Sequence, residues 1–344
     1  MPNLDWSNLG FTVVETNSII ISRYKDGVWS IPESISSTAL TINPFAGAIH
    51  YACSCFEGLK AFRGVDGKVR IFRPQENARR MYDSADYIEL PHPSEEMFIE
   101  MVIRCVKENI DFLPPYGNNA SIYIRPLLIG CNPQLGITAS SEALFAVMCN
   151  PVGTYMGKAL NPVDAVLVRN FDRVAPNGTG AYKLSSNYAP AFRPYHYAHR
   201  NNFNEVLFLD SATHTKIDEF GSSNFIGIKN GVYVTPLSPS VLPSITNKSL
   251  RQLAEDLGMK VERRVVPVEE LAEFDEVGAC GTAVVITPIR SITDKPALEG
   301  EEITRKYTYG DPNQCGPVLR KLYETIRGIQ DGTIEDKHGW CTVL

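Results

Sequence analysis

Lys183 follows the turn Gly178-Thr179-Gly180-Ala181-Tyr182 and precedes Leu184-Ser185-Ser186-Asn187-Tyr188. A glycine-rich turn can press a lysine close to a bound group. A lysine that is desolvated, or crowded by a second cation, becomes a nucleophile able to form a Schiff base. The turn fails two nucleotide-binding patterns. A P-loop needs Gly-Lys-Ser/Thr after its spacer, and here Tyr182 precedes the lysine. A dinucleotide turn needs a third glycine at fixed spacing, and none follows. A lone Gly-x-Gly is most often only a turn. Asp218-Glu219-Phe220-Gly221-Ser222-Ser223-Asn224-Phe225 reads either as an acidic turn before a strand or as a carboxylate placed to hold a proton on a pyridine nitrogen. Cys280-Gly281-Thr282-Ala283 precedes an apolar strand, and Leu242-Pro243-Ser244-Ile245-Thr246 precedes a helix. Backbone N–H groups at such places can bind phosphate, although most bind nothing.

These groups need a scaffold. Strands are expected at Phe11 to Val14, Ser18 to Ile21, Ile49 to Phe62 and Lys68 to Phe72, with Gly64-Val65-Asp66-Gly67 as a hairpin turn between the last two. Pro74 to Met81 switches to helix, with proline in the first turn. Met97, Phe98, Met101, Val102 and Cys105 form an apolar stripe on a second helix, Ser94 to Asn109. Strands follow at Ala120 to Ile129 and Ala143 to Met148. Asn150-Pro151-Val152-Gly153, with Gly157 and Pro162, then breaks the pattern. The second half offers strands near 164–169, 205–209, 225–229, 231–235 and 283–289, and helices at 249–257 and 317–328. Strands and helices mix without strict βαβ alternation. The expectation is an α+β chain of two domains, 1–150 and 163–344, joined by a linker over 151–162.

Composition excludes several classes. The 344 residues are 44% hydrophobic and 21% charged, ordinary for a globular protein. A net charge of -6 provides no basic field for nucleic acid, so Tyr182, Tyr195 and Tyr197 amid Arg193 and Arg200 read as structural. The N-terminus lacks the basic and apolar regions of a signal peptide, and no apolar run approaches the ~18–20 residues of a membrane span. The eight cysteines show no repeated spacing. They read as reduced thiols of a cytoplasmic protein, and the six histidines form no zinc-like set with them.

Six segments in order resemble the branched-chain aminotransferases, fold-type IV pyridoxal phosphate enzymes, over most of the chain. They are His50-Tyr51 with Phe56-Glu57-Gly58-Leu59-Lys60-Ala61-Phe62; Phe72-Arg73-Pro74 with Asn77 and Arg80-Met81; Tyr123-Ile124-Arg125-Pro126; Gly178 to Tyr188; Glu219 with Gly221 and Asn224; and Gly281-Thr282-Ala283. Several details resemble the larger, eukaryote-like subgroup.

The resemblance implies a two-domain α+β fold like that of D-amino-acid aminotransferase, with pyridoxal 5′-phosphate in the interdomain cleft. It implies that Lys183 carries the cofactor aldehyde as a Schiff base and then serves as general base and general acid. Tyr188 would bond the cofactor's phenolic oxygen, and Glu219 its ring nitrogen. Arg80 would bind the phosphate, with Ile245, Thr246 and Thr282 adding donors. Arg173 matches a further cofactor-side arginine. Tyr51, Phe56 and Tyr123 would wall an apolar pocket, Thr282 and Ala283 would meet the substrate carboxylate, and Arg125 would seat the acidic side chain of glutamate. The implied reaction exchanges an amino group between leucine, isoleucine or valine and 2-oxoglutarate, in a homodimer. Two departures stand out. Ser185 and Ser186 replace glycines common in the family. Val284 and Thr287 stand where some mammalian relatives carry a redox Cys-x-x-Cys. The competing readings are a D-amino-acid aminotransferase or aminodeoxychorismate lyase, and a nucleotide-binding protein using the Gly178 turn.

Overall fold

The computed structural model describes residues 4–36, 39–153, 160–297 and 302–344. The chain divides into two compact units. The first holds the described residues up to Gly153, with Tyr182–Ser186 and Gly328–Leu344; the second holds those from Leu160 to Ala181 and Asn187–Arg327.

The first unit is built on β1 (Ile19–Lys25), β2 (Val28–Trp29), β3 (Glu33–Ile35), β4 (Ser54–Phe56), β5 (Leu59–Arg63), β6 (Val69–Phe72), β7 (Ser121–Gly130) and β8 (Ala143–Val152). The C-terminal strand Cys341–Val343 pairs with β6, giving a nine-stranded sheet. The sheet forms where alternation is strong. In β7 and β8 the buried Ile122, Ile124 and Leu128 face the same core as Phe145 and Val147. The Gly64–Gly67 hairpin forms as expected, with Gly67 in the left-handed region at φ +77°. Three helices accompany the sheet: α1 (Gly47–His50), α2 (Pro74–Tyr87) and α3 (Glu95–Glu108). Pro74 starts α2, and the Ser94 side chain caps α3 by accepting from Met97 N–H. Phe98, Met101, Val102 and Cys105 are fully buried. Burying a large apolar side chain contributes about 1.5–3 kcal/mol, so this stripe fixes how α3 lies on the sheet.

Two expected strands differ. Residues 11–14 form no strand: Val13 is exposed, and Val14 N–H donates to the Asn150 side chain instead of a ladder. The stretch 49–62 is interrupted: α1 occupies its start, and Glu57-Gly58 separates β4 from β5 because the Glu57 side chain turns inward to polar partners.

The second unit contains β9 (Val163–Val168), β10 (Glu205–Leu209), β11 (Ile217–Phe220), β12 (Asn224–Lys229), β13 (Val232–Pro236), β14 (Val261–Arg264), β15 (Glu276–Gly281), β16 (Val285–Lys295) and β17 (Arg305–Thr308). The sheet order is β11-β10-β9-β16-β15-β12-β13-β14, with β17 on β16. The Glu219↔Asn224 pairing joins β11 to β12 and closes six strands into a ring. Alternation sends Ala165, Leu167, Leu207 and Leu209 into one core, and Val166, Val168, Val206 and Phe208 into another beneath α4 (Phe192–Arg200). The helices α5 (Ile245–Asp256) and α6 (Pro317–Asp331) complete the elements described. Ser244 caps α5 through Asn247 N–H, and the Glu276 carboxylate takes Val318 and Leu319 N–H at the start of α6.

The units depart from the expected boundaries in two ways. Pro151 and Val152, expected in a linker, extend β8, and residues 154–159 lie outside those described. Tyr182–Ser186 joins the first unit because Leu184 is buried in that unit's core and pairs with Cys55.

Candidate active site

In the first unit, Lys183 is fixed by its backbone. Its N–H donates to Ser84 Oγ at 2.9 Å, and its carbonyl accepts from Phe56 N–H at 3.2 Å. Tyr182 stacks on Tyr87 with ring centres 4.1 Å apart. The lysine Nζ stands 4.8 Å from the centre of the Phe56 ring. On the same ring, the Arg125 guanidinium lies 4.6 Å from the centre. Arg125 and Tyr123 share a face of β7, and Arg125 Nη2 donates to Tyr123 Oη at 3.3 Å. Arg125 Nε is buried with no hydrogen-bond partner among the described residues. Phe56, Tyr123, Arg125 and Lys183 thus form one cluster. Gly58 permits it: a Cβ there would sit 2.0 Å from Tyr123 Oη. Tyr51 faces the loop after β7, its hydroxyl donating to the Leu135 carbonyl at 2.5 Å.

Arg80 is placed by a residue for which the sequence reading named no role. Its Nε and Nη2 each donate at 2.7 Å to the carboxylate of Glu57, which also accepts from Asn77 Nδ2 at 2.7 Å. Burial pushes the Glu57 carboxyl up, but the Arg80 charge and hydrogen bonds, with the nearby Lys183 charge, bring it below its ordinary range. Asn77, Arg80 and Ser84 lie along one face of α2 and serve, in order, Glu57, Glu57 and the Lys183 backbone. An acidic residue between the apolar stretches of β4 and β5 was the signal that could have revealed Glu57.

In the second unit, Glu219 is 4% exposed and only accepts hydrogen bonds. Arg173 Nη2 lies 2.9 Å from its Oε1, Leu242 N–H donates to the same oxygen at 3.3 Å, and Asn224 Nδ2 donates to Oε2 at 2.7 Å. Burial raises its pKa; Arg173, Leu242 N–H and Asn224 oppose the rise, and neighbouring Asp218 adds to it. Arg173 Nη2 also donates to the carbonyls of Gly180 and Ser240. It thereby ties the glycine turn to the segment before α5. Gly180 is required there, since a Cβ would meet the Ser240 carbonyl oxygen at 2.2 Å. Thr179 and Asn187 close the loop carrying Lys183 through two side-chain hydrogen bonds, 2.5 and 2.8 Å. Tyr188 follows Asn187 directly and leads into a short 3₁₀ turn. Ile245 and Thr246 open α5, where first-turn N–H groups have no carbonyl within the helix to bond. Thr282 and Ala283 occupy the turn between β15 and β16. Val285 ends that turn at φ +65°, a costly conformation for a β-branched residue.

The first unit thus presents an amine beside an aromatic ring, and the second, taken by itself, presents a buried carboxylate of the kind that can face a ring N–H and helix-start N–H groups of the kind that can meet a phosphate. Comparison with known proteins agrees with that chemistry. The family model for amino-transferase class IV matches residues 54–292. The branched-chain-amino-acid aminotransferase of Helicobacter pylori is 41% identical, covering 99% of this chain and 98% of its own. That of Haemophilus influenzae is 40% identical over 99% and 98%. Among solved structures, the branched-chain amino acid aminotransferase of Escherichia coli superposes with a TM-score of 0.79 at 28% identity, covering 95% of this chain and 98% of that one. A T.th. branched-chain amino acid aminotransferase solved with pyridoxamine 5′-phosphate reaches 0.79 at 23% identity over 96% and 99%, a likeness of fold alone. With the match spanning more than half its length, the chain belongs to the class IV aminotransferase family.

Proposed function

We propose that this chain is a branched-chain amino acid transaminase, moving the amino group reversibly between L-leucine, L-isoleucine or L-valine and 2-oxoglutarate. The observation that carries the reading is 40–41% identity, across 98–99% of both chains, to two enzymes of that name. The cofactor is pyridoxal 5′-phosphate, which supplies an aldehyde for the amine and a ring that takes up electrons from the α-carbon. The residues present fit it. Glu219 is a buried, acceptor-only carboxylate of the kind a ring N–H⁺ requires. Arg173 Nε is a buried donor with no partner among the described residues. Glu219 would hold the ring nitrogen, and Tyr188 the phenolic oxygen. Arg80, Ile245, Thr246 and Thr282 would hold the phosphate, with Arg173 beside them.

Lys183 Nζ would hold the cofactor's aldehyde carbon and would serve as the general base and general acid that moves the substrate's α-proton. Phe56 and Tyr123, with Tyr51, would keep water from the apolar side chain. Arg125 would pair with the γ-carboxylate when glutamate or 2-oxoglutarate binds, and Thr282 and Ala283 N–H groups would take the α-carboxylate. We further infer a cytoplasmic homodimer; among the described residues no helix is long and apolar enough to cross a membrane.

The test is a steady-state panel of L-leucine, L-isoleucine, L-valine and D-alanine against 2-oxoglutarate, with an absorption spectrum. The expected result is turnover of the three L-amino acids and a near-ultraviolet to blue band that borohydride fixes on Lys183. Lys183→Ala should lose both band and turnover. Turnover of D-alanine alone would overturn the substrate, and a colourless protein that cannot be reconstituted would overturn the reaction.

A further inference from the structure

Glu219 is the end of a longer chain of buried hydrogen bonds. Asn224 donates its Nδ2 to Glu219 Oε2 at 2.7 Å and to the Leu242 carbonyl at 3.0 Å. Its Oδ1 accepts from Asn247 Nδ2 at 3.0 Å. Asn247 Nδ2 also donates to Thr235 Oγ1 at 2.8 Å, and its Oδ1 accepts from the Tyr233 hydroxyl at 2.9 Å. Thr235 spends its own proton on the Phe225 carbonyl at 2.8 Å. Asn224, Tyr233, Thr235 and Asn247 are all at least nine-tenths buried.

The direction of this chain is dictated by its ends. The Phe225 carbonyl can only accept, so Thr235 must donate to it and present a lone pair to Asn247. That turns the amide nitrogen of Asn247 toward Asn224, whose oxygen must then face it. The amide nitrogen of Asn224 is left for Glu219 and Leu242. Reversing either carboxamide would set oxygen against oxygen in a buried place. Asn247 is also the third residue of α5, and its backbone N–H binds the Ser244 cap at 3.2 Å. One residue therefore touches both the network that orients Glu219 and the helix start that carries Ile245 and Thr246.

We propose that Asn247 is a positioning residue that locks the Glu219 carboxylate and the start of α5 into one register, so that the ring-nitrogen and phosphate ends of the cofactor are held together. The inference rests on the reading that Glu219 meets the ring nitrogen of pyridoxal phosphate. Other groups bearing on Glu219 are Arg173, Asp218 on its own strand and Cys280 on β15, opposite Asn224.

Asn247→Asp tests it. The variant keeps the shape of the side chain but cannot donate to Asn224 and Thr235. Calorimetry on the apoprotein with pyridoxamine 5′-phosphate should show about tenfold weaker binding, the scale of the one lost hydrogen bond, to Asn224, that leads on to Glu219. The holoenzyme's absorption band should titrate at a shifted pH, and kcat for leucine should fall by about tenfold while its KM stays within about twofold. Tyr233→Phe removes only the outermost donor and should move the same three readouts in the same direction by about two- to threefold. Unchanged affinity and unchanged band titration in a folded Asn247→Asp would overturn the proposal. If that variant does not fold, wild-type readouts in Tyr233→Phe would overturn it. A wild-type protein that binds no pyridoxal phosphate would instead sink the underlying reading, and this inference with it.

Discussion

Glu57 and Arg80 meet edge to edge, Oε1 to Nε and Oε2 to Nη2, both at 2.7 Å, with Glu57 fully buried. Two parallel charge-assisted hydrogen bonds fix the guanidinium plane, so the orientation of Arg80 is a property of Glu57.

Glu57→Gln should therefore destabilise the fold. Removing one member of a buried pair leaves the other charge uncompensated, at about 3–5 kcal/mol. The Glu57 carboxyl titrates below its ordinary range when folded. Its contribution is present above the unfolded carboxyl pKa and is lost as pH falls through the lower folded value. Urea melts from pH 3 to pH 8 should show the largest gap between wild type and variant near neutrality, closing in acid. Equal stability at pH 7 would remove the assigned role.

Glu205 should give the opposite slope. It begins β10, is 1% exposed, and its Oε2 has no hydrogen-bond partner among the described residues. Burial pushes its pKa up to about 8, opposed only by the Val206 N–H. The unfolded chain sheds this proton near ordinary carboxyl pH, while the folded chain keeps it. Stability should therefore fall as pH rises between the two values, by about 1.4 kcal/mol per unit, and level off above the folded pKa. Glu205→Gln removes the slope. The variant should match wild type within about 1 kcal/mol at pH 5 and exceed it by on the order of 4 kcal/mol at pH 8. Parallel stability curves would refute the argument.

Under the proposed function, Arg125 should separate the two substrates. Its guanidinium lies against Phe56 and Tyr123, yet Nε is unbonded among the described residues. Arg125→Met keeps the apolar contact and loses the charge. The KM for 2-oxoglutarate should rise by about tenfold or more, while the half-reaction with leucine changes by less than about threefold. Equal losses for both would point to pocket collapse, which a fluorescence or crystallographic check of Tyr123 would expose.

Much of this was legible in the residues. The Ser94 cap, Pro74 at a helix start and the Gly64–Gly67 hairpin are local signals, and each element formed where those signals stood. The strand expected at residues 11–14 failed because β-propensity needs a neighbouring edge, and Asn150 supplies a side chain there instead. Glu57 and Asn247 went unassigned for a different reason. Their importance lies in partners 20 to 23 positions away, Asn77 and Arg80 for one and Asn224 for the other. Spacing within a motif cannot report such contacts. Lys183 stands out by residue type, but its place in the first unit depends on Leu184 finding that unit's core.

The thiols should be quiet. Cys55, Cys105, Cys149, Cys280 and Cys315 are buried, and Cys53, Cys131 and Cys341 are half-buried. Burial pushes the thiols of Cys55 and Cys280 far up, and those of Cys315 and Cys341 to about 12. A thiolate is the reactive form, so these four should resist both alkylation and oxidation. Val284 and Thr287 occupy the positions after the Gly281 turn where a Cys-x-x-Cys pair would supply a redox response. A disulfide-exchange reagent at pH 8 should therefore label at most the half-buried Cys53 and Cys131 rapidly in native protein, and all eight cysteines only after denaturation. Diamide should leave the transaminase rate within about twofold. Rapid inactivation reversed by dithiothreitol would show a redox-active thiol that this packing does not provide.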